Sequence, residues 1–315
     1  MKITYSSGLL TFHIFYDKRG VNKLECAPAS ALLLAAFIST LAGTYSRSAV
    51  ANYLCGVKAW HTIHSLNWAF GETETEALLK SATTLALQTS KHPPREPYTI
   101  ETVALIHFKL NLAIPLDAAI FVCLTTLFYA TTCTREFTTC TLLSFNPKMH
   151  VKLSDMHDVQ DRQGNMVKNF HLPYMKSTPN GEDVNWAKQV GLFDPSSMFD
   201  NHLEVNNPPP NSPLFAYKQG RGYHALTKSK FIKTLNAALK AEGRAPLQSH
   251  GIHIGSTLEY LLRNIPFDVV KVKGRWASNA FLLYLQQHAQ ILAPYMQAQP
   301  ELHASLHHLT HPPIH

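Results

Sequence analysis

His250-Gly251-Ile252-His253-Ile254-Gly255-Ser256-Thr257 opens the stretch that decides the fold. Val269-Val270-Lys271-Val272-Lys273-Gly274-Arg275-Trp276 and Phe281-Leu282-Leu283-Tyr284 complete it. The first run leads into an amphipathic helix expected over Ile254–Arg263. A loop-to-helix junction offers backbone N–H groups without intrahelical partners, and a dipole that favours an anion such as phosphate. The second run adds positive charge and an indole donor, and the third places a phenol beyond it. Singly, each has an ordinary explanation: a tyrosine on an apolar helix packs in a core, and a lysine-rich stretch is a solvated face. Their order along the chain is more informative.

Working outward, helices are expected over Lys228–Ala241 and Asn279–Gln297. Before them the texture is mixed. Short β-prone pieces at Thr138–Phe145, His150–Leu153 and Val167–Leu172 are broken by turns, and Asn206–Asn211 with its three prolines precedes Leu214-Phe215-Ala216-Tyr217. Helices are expected at Ile100–Leu110 and Leu116–Thr132, the latter so continuously apolar that it should be buried on every side. The segment from Ser90 to Pro97 contains three prolines and alternating charge, a linker that no helix interior tolerates. Ahead of it the pattern is helical throughout. Helices are read at Ser6–Tyr16, at Leu32–Leu41, after Ser48 with Val50, Tyr53, Leu54, Val57, Trp60 and Ile63 on one stripe, and from Thr73 with Glu76 at capping-box spacing.

The chain of 315 residues is long enough for about two domains. Its 45% apolar and 16% charged residues describe a globular protein and exclude wholesale disorder. The net charge of +7 is compatible with a polyanionic partner without demonstrating one. Cys26, Cys55, Cys123, Cys133 and Cys140 are scattered and odd in number, which argues against a disulfide framework or a cysteine-built zinc site and fits a reducing compartment. No apolar run reaches the roughly 20 residues of a membrane span, and no signal peptide opens the chain. The reading is soluble and intracellular, without a membrane partner.

A helical region, a proline linker and an α/β region ending in His-x-x-X, Gly-Arg-Trp and Tyr resemble the tyrosine recombinases, DNA breaking-rejoining enzymes that include phage integrases. The likeness is closest to the fungal branch, through Val205-Asn206-Asn207-Pro208-Pro209-Pro210, Leu226-Thr227-Lys228-Ser229-Lys230-Phe231, Pro266 to Ser278 and His288 to Gln297. It begins at the first residue, so an upstream segment is expected to be missing, and it runs to about residue 298. It implies a mainly α fold with a small β-sheet: a helical core-binding domain over 1–90, a linker over 91–97, an α+β catalytic domain over 98–298 and a disordered His-rich tail over 299–315. It also implies roles for single residues. Tyr284 is the nucleophile that forms a 3′-phosphotyrosyl intermediate without ATP or metal. His250 is a proton carrier and phosphate ligand, and Lys176, before the Pro179-Asn180-Gly181 turn, protonates the 5′-hydroxyl leaving group. Trp276 hydrogen-bonds the phosphate and packs under the site, and Glu136 is a supporting acid. The partner implied is double-stranded DNA, bound by a homo-oligomer in the nucleus, with no cofactor.

Two positions depart from the family pattern. Aligning Glu136-Phe137 places the first phosphate-clamping arginine at Cys133 and the family's glycine at Arg135; the second arginine is His253. Each lost donor of this kind costs about 2.7–4 kcal/mol of transition-state stabilisation, and two independent losses on the order of 10⁴ to 10⁶ in rate. Arg135 stands roughly 200° from Cys133 on a continuing helix and would point away. His253 lacks the fork of a guanidinium. A nucleophilic role for Cys133 is weaker than an inert packing role. Arg to Cys, Arg to His and Gly to Arg are each reachable by a single transition, which favours decay over innovation, and the coding sequence tests this.

DNA binding draws on other side chains. The candidates are Arg47, Lys58, Lys218, Arg221, Lys228, Lys230, Lys271, Lys273 and Arg275, better evidence as a group than singly. Three expectations follow: a recombinase with weakened cleavage, a catalytically dead DNA-binding protein, or an inert relic of a mobile element. His303, His307, His308, His311 and His315 read as part of a disordered tail rather than a metal site.

Overall fold

In the computed structural model, residues 2–85, 95–175 and 178–276 are described, and the chain divides into two units, residues 1–94 and 95–315. Lys176, Tyr284, the helix expected over Asn279–Gln297 and the His-rich tail lie outside the described residues.

The first unit contains four α-helices among its described residues: α1 (Lys2–Lys18), α2 (Ala31–Leu41), α3 (Arg47–Ile63) and α4 (Glu72–Leu85). Ser30 starts α2 by accepting the Leu33 N–H, and Leu34, Phe37, Ile38 and Leu41 bury the stripe that follows. Ser46 caps α3 in the same way, two residues before the expected start. The stripe read on α3 holds for Val50, Leu54 and Val57 but not at its end, where Ile63 is exposed and His61 turns inward. The imidazole has the better inward partners. Its Nε2 accepts the Ala29 N–H at 3.0 Å, which leaves the proton on Nδ1 to donate to Val57 O at 2.9 Å. Helix α4 begins at Glu72 instead of Thr73, because the Glu74 carboxylate takes the Gly71 N–H at 2.9 Å. Glu76, expected to cap, pairs with Arg47 instead.

The second unit is arranged around α6 (Pro115–Tyr129), whose residues from Ala118 to Tyr129 are all buried, as its unbroken apolar run requires. Around it lie α5 (Ile100–Lys109), α8 (Pro195–Asn206), α9 (Lys228–Ala241) and α10 (His250–Leu262), with Phe170, Trp186, Phe199, Phe215 and Phe231 in the shared core. A three-stranded antiparallel sheet, β1 (Met156–Gln160), β2 (Met166–Leu172) and β3 (Glu182–Ala187), puts Phe170 opposite Val184. A short hairpin pairs β4 (Tyr217–Gln219) with β5 (Gly222–His224). Of the expected β pieces, only Val167–Leu172 is a strand. Thr138–Phe145 reduces to a single bridge in which Thr139 exchanges hydrogen bonds with Leu226 and Lys228, and His150–Leu153 to another, between Lys152 and Pro213, before a 3-10 turn at Leu153–Asp155 leads to β1.

Helix α10 starts at His250, four residues before the expected Ile254, so both histidines of the motif are helical. Its glycines make this possible. A Cβ at Gly251 would lie 2.4 Å from Glu96 O, and one at Gly255 1.8 Å from Tyr98 O. The incoming segment therefore lies directly on the helix, fastened by the Tyr98 N–H to Gly251 O at 3.0 Å. A short α11 (Phe267–Lys273) follows. Among the described residues, no helix is long and apolar enough to cross a membrane.

Candidate functional site

Helix α6 ends at Tyr129, and Thr131, at φ 52°, turns the chain back toward α10. Thr131 and Ser256 share a buried hydroxyl hydrogen bond of 2.7 Å, and the Tyr260 hydroxyl donates to Tyr129 O at 2.7 Å. Residues 253, 256 and 260 recur on one face of α10, so these two bonds hold His253 against the segment that follows α6. There Cys133 is the N-cap of a single turn, α7 (Thr134–Phe137). Its Sγ lies 3.7 Å from His253 Nδ1. Because the helix has already ended, the 200° argument for Arg135 does not apply, yet that side chain is still exposed and solvent-facing.

The electrostatics of the pair are those of two neutral groups. Burial holds His253 down to a pKa of about 3, helped by electrostatic coupling to His250 and by the charge of Arg275. Desolvation and the Glu136 carboxylate push the Cys133 thiol above its ordinary value, against opposing pulls from Arg275 and Lys228. A protonated thiol beside Nδ1 leaves the imidazole proton on Nε2. That nitrogen is buried and has no hydrogen-bond partner among the described residues.

Glu136 organises the other side. One oxygen, Oε2, accepts the Cys133 N–H at 2.9 Å and the Arg275 guanidinium at 2.8 Å. Arg275 follows α11 in the left-handed region, φ 57°, which swings its side chain inward to within 3.0 Å of Met175 Sδ. Its Nε is buried with no hydrogen-bond partner among the described residues. Trp276 then places its ring 4.9 Å from that of His253 and over Gly274, where a Cβ would meet indole carbon at 2.4 Å. His250 lies 6.0 Å from His253, its pKa lowered by burial and by the charge of Arg95.

Six residues from three distant stretches thus meet: Cys133 and Glu136, His250 and His253, Arg275 and Trp276. No family model and no curated protein matches the chain. Among solved structures, it is similar to a XerH site-specific recombinase bound to palindromic difH substrate in a post-cleavage complex, at 17% identity and TM-score 0.58, over 94% of this chain and 78% of that one. The pre-cleavage complex of XerH with difH substrate aligns at 16% identity and TM-score 0.53, over 94% and 79%. The fold is that of a tyrosine recombinase.

Within the tyrosine recombinase fold, the cations read as candidate DNA contacts fall into two groups. Lys58, Lys218, Arg221 and Lys230 are exposed, with Lys218 Nζ donating to Val205 O at 2.9 Å; Arg47 is exposed and paired with Glu76. Lys228 is half-buried near Cys133, and Lys271 is half-buried on α11. Lys273 turns inward: its ammonium donates to Asn185 O at 3.1 Å and lies over the Tyr260 ring, and burial lowers its pKa to about 8. Arg275 turns inward as well. Charge is legible in a sequence, but the direction in which a side chain leaves the backbone is not. Met175 carried no signal at all. Among the described residues, no group of three or more His, Cys, Asp or Glu is placed to hold a metal ion.

Proposed function

We propose that this chain binds double-stranded DNA and belongs to a recombination and integration lineage, its strand cleavage weakened by the replacement of both phosphate-clamping arginines. The observation that carries this reading is the meeting of Cys133, His250, His253 and Trp276, with Glu136 behind them, in a fold shared with recombinases solved on DNA. In the proposed reaction, the Tyr284 oxygen forms a bond to phosphorus as the bond to the 5′ oxygen breaks. The phenol proton leaves through His250, and Lys176 supplies a proton to the 5′ oxygen. Religation reverses these transfers. What is missing is charge: a thiol and a neutral imidazole stand where two guanidiniums would meet the growing charge on the nonbridging oxygens.

Binding without cleavage is the second reading, favoured by the uncharged state of His253 in the free protein. A nicked suicide duplex separates the two. A covalent adduct that disappears in Tyr284→Phe establishes residual cleavage, and salt-sensitive binding without adduct establishes the second reading. Because the target sequence is unknown, supercoiled plasmid is the practical substrate. Restoring Cys133→Arg, Arg135→Gly and His253→Arg together is expected to raise relaxation or covalent trapping by about 10⁴-fold or more over the natural sequence. A restored protein that folds and binds DNA but never cleaves would remove the recombinase assignment of these positions.

A further inference from the structure

The Glu136–Arg275 pair has more donors than its protein partners use. A guanidinium carries five N–H groups. Here one is donated to Glu136 Oε2 and one to Met175 Sδ, while the Nε–H is buried without a partner among the described residues. The side chain is 11% exposed, so water does little to satisfy what remains. Folded proteins rarely leave such donors unmade, because each costs about 1–3 kcal/mol. A second unmade donor lies close by, His253 Nε2, on a residue that is 5% exposed. The positive charge of Arg275 acts on both His253 and Cys133, and Lys228 adds to it at Cys133. Two buried donors and a cation held by a carboxylate converge beside Cys133, a composition suited to an anion.

We propose that Arg275 replaces the missing clamp: anchored on Glu136 and Met175, it presents its free N–H groups to a DNA phosphate seated beside Cys133 and His253. This rests on the DNA-binding reading above and adds to it the residue that supplies the charge. The anchoring matters as much as the charge. Glu136 fixes the plane of the guanidinium against α7, and Met175 holds its other edge. A cysteine at 133 leaves room for a guanidinium arriving from the other side; an arginine there would compete with it for Glu136.

The test is a binding measurement on the full chain with a short duplex of arbitrary sequence at low ionic strength, by fluorescence anisotropy. Iodoacetamide labelling of Cys133 is read in parallel, with exposed Cys140 as internal reference. The natural protein is expected to bind and the duplex to slow labelling of Cys133. Arg275→Gln is expected to weaken binding roughly tenfold and to lose the protection of Cys133. Adding Cys133→Arg to Arg275→Gln is expected to restore affinity, because a guanidinium returns to the seat from the opposite side. A brace without a phosphate contact predicts no such rescue, and a double variant as weak as the single one overturns the proposal. So does an Arg275→Gln protein that keeps its helical circular dichroism and binds like the natural chain. If Arg275→Gln does not fold, Arg275→Lys keeps the charge and loses the fork; full affinity in that variant likewise overturns the proposal, and a partial loss supports it. If the natural protein neither binds duplex nor protects Cys133, the DNA-binding reading itself falls. Binding and protection that survive the loss of Arg275 remove only its role.

Discussion

Two buried histidines of the second unit differ in what their ring nitrogens meet. His202 on α8 is wholly buried and finished: Nε2 donates to Leu214 O at 3.3 Å, and Nδ1 accepts from the Asn206 amide at 3.1 Å. Asn206 continues the network, donating to Pro115 O and accepting the Lys218 N–H, each at 2.9 Å, so that α6, α8 and β4 are tied together. His253 on α10 is nearly as buried, yet it has a thiol at 3.7 Å on one nitrogen and no partner among the described residues on the other. Both rings are held neutral by burial, at pKa values of about 4 and about 3. Burial and a depressed pKa therefore do not distinguish a structural histidine from a site histidine. Hydrogen bonding separates these two, complete at His202 and open at His253; because Tyr98, His107 and Trp186 also carry open buried groups, an open nitrogen points to a ligand only beside a charge such as Arg275.

The largest effect available for testing this contrast is acid destabilisation, which the two rings share. Below about pH 6.5 the unfolded chain protonates both, while the folded chain resists until about pH 4 at His202 and about pH 3 at His253. Stability is complete above pH 6.5 and falls as the pH falls, by on the order of 5 kcal/mol at pH 4 from these two groups. Urea unfolding at pH 7 and pH 4 measures it, and His202→Leu should remove about half of the difference. The next effect separates the rings. At pH 7, His202→Leu should cost about 2–4 kcal/mol, since it strands Leu214 O and takes an acceptor from Asn206. The smallest expected effect is the sharpest test: His253→Leu should change stability by less than about 1 kcal/mol, since it removes only the long thiol contact to Nδ1 and an open Nε2, while weakening duplex binding. Equal stability losses at the two positions would erase the distinction.

What could be read from the sequence followed local physics. The apolar run of α6 announced burial on every side, and Lys228–Ala241 was delimited to the residue because Thr227 caps it and its stripe is regular. Signals were also there to be used and were missed. Asp194-Pro195 is an N-cap with proline at N1, and it opens α8 with Asp194 accepting from Ser196 and Ser197. Asp183-Val184-Asn185-Trp186 alternates as β3 does, with Val184 and Trp186 buried. Other features had no local signal. The Thr131–Ser256 hydroxyl bond spans 125 residues, and the inward course of Arg275 depends on one positive φ. The residue types at the site were legible because chemistry restricts them, whereas its missing donors became visible only with their surroundings.

Gly251 and Gly255 set a limit on how this chain can drift. A single added carbon at either would collide with the backbone of Glu96 or Tyr98, so a missense change there damages folding at once. Position 253, between them, carries a histidine within the packed helix, where the resemblance implies an arginine. Folding alone thus demands the two glycines, whereas it accepts a histidine at position 253. A lineage that has stopped cutting DNA would keep its architecture long after its chemistry, and the frame of the motif would outlast the residues that gave it a purpose.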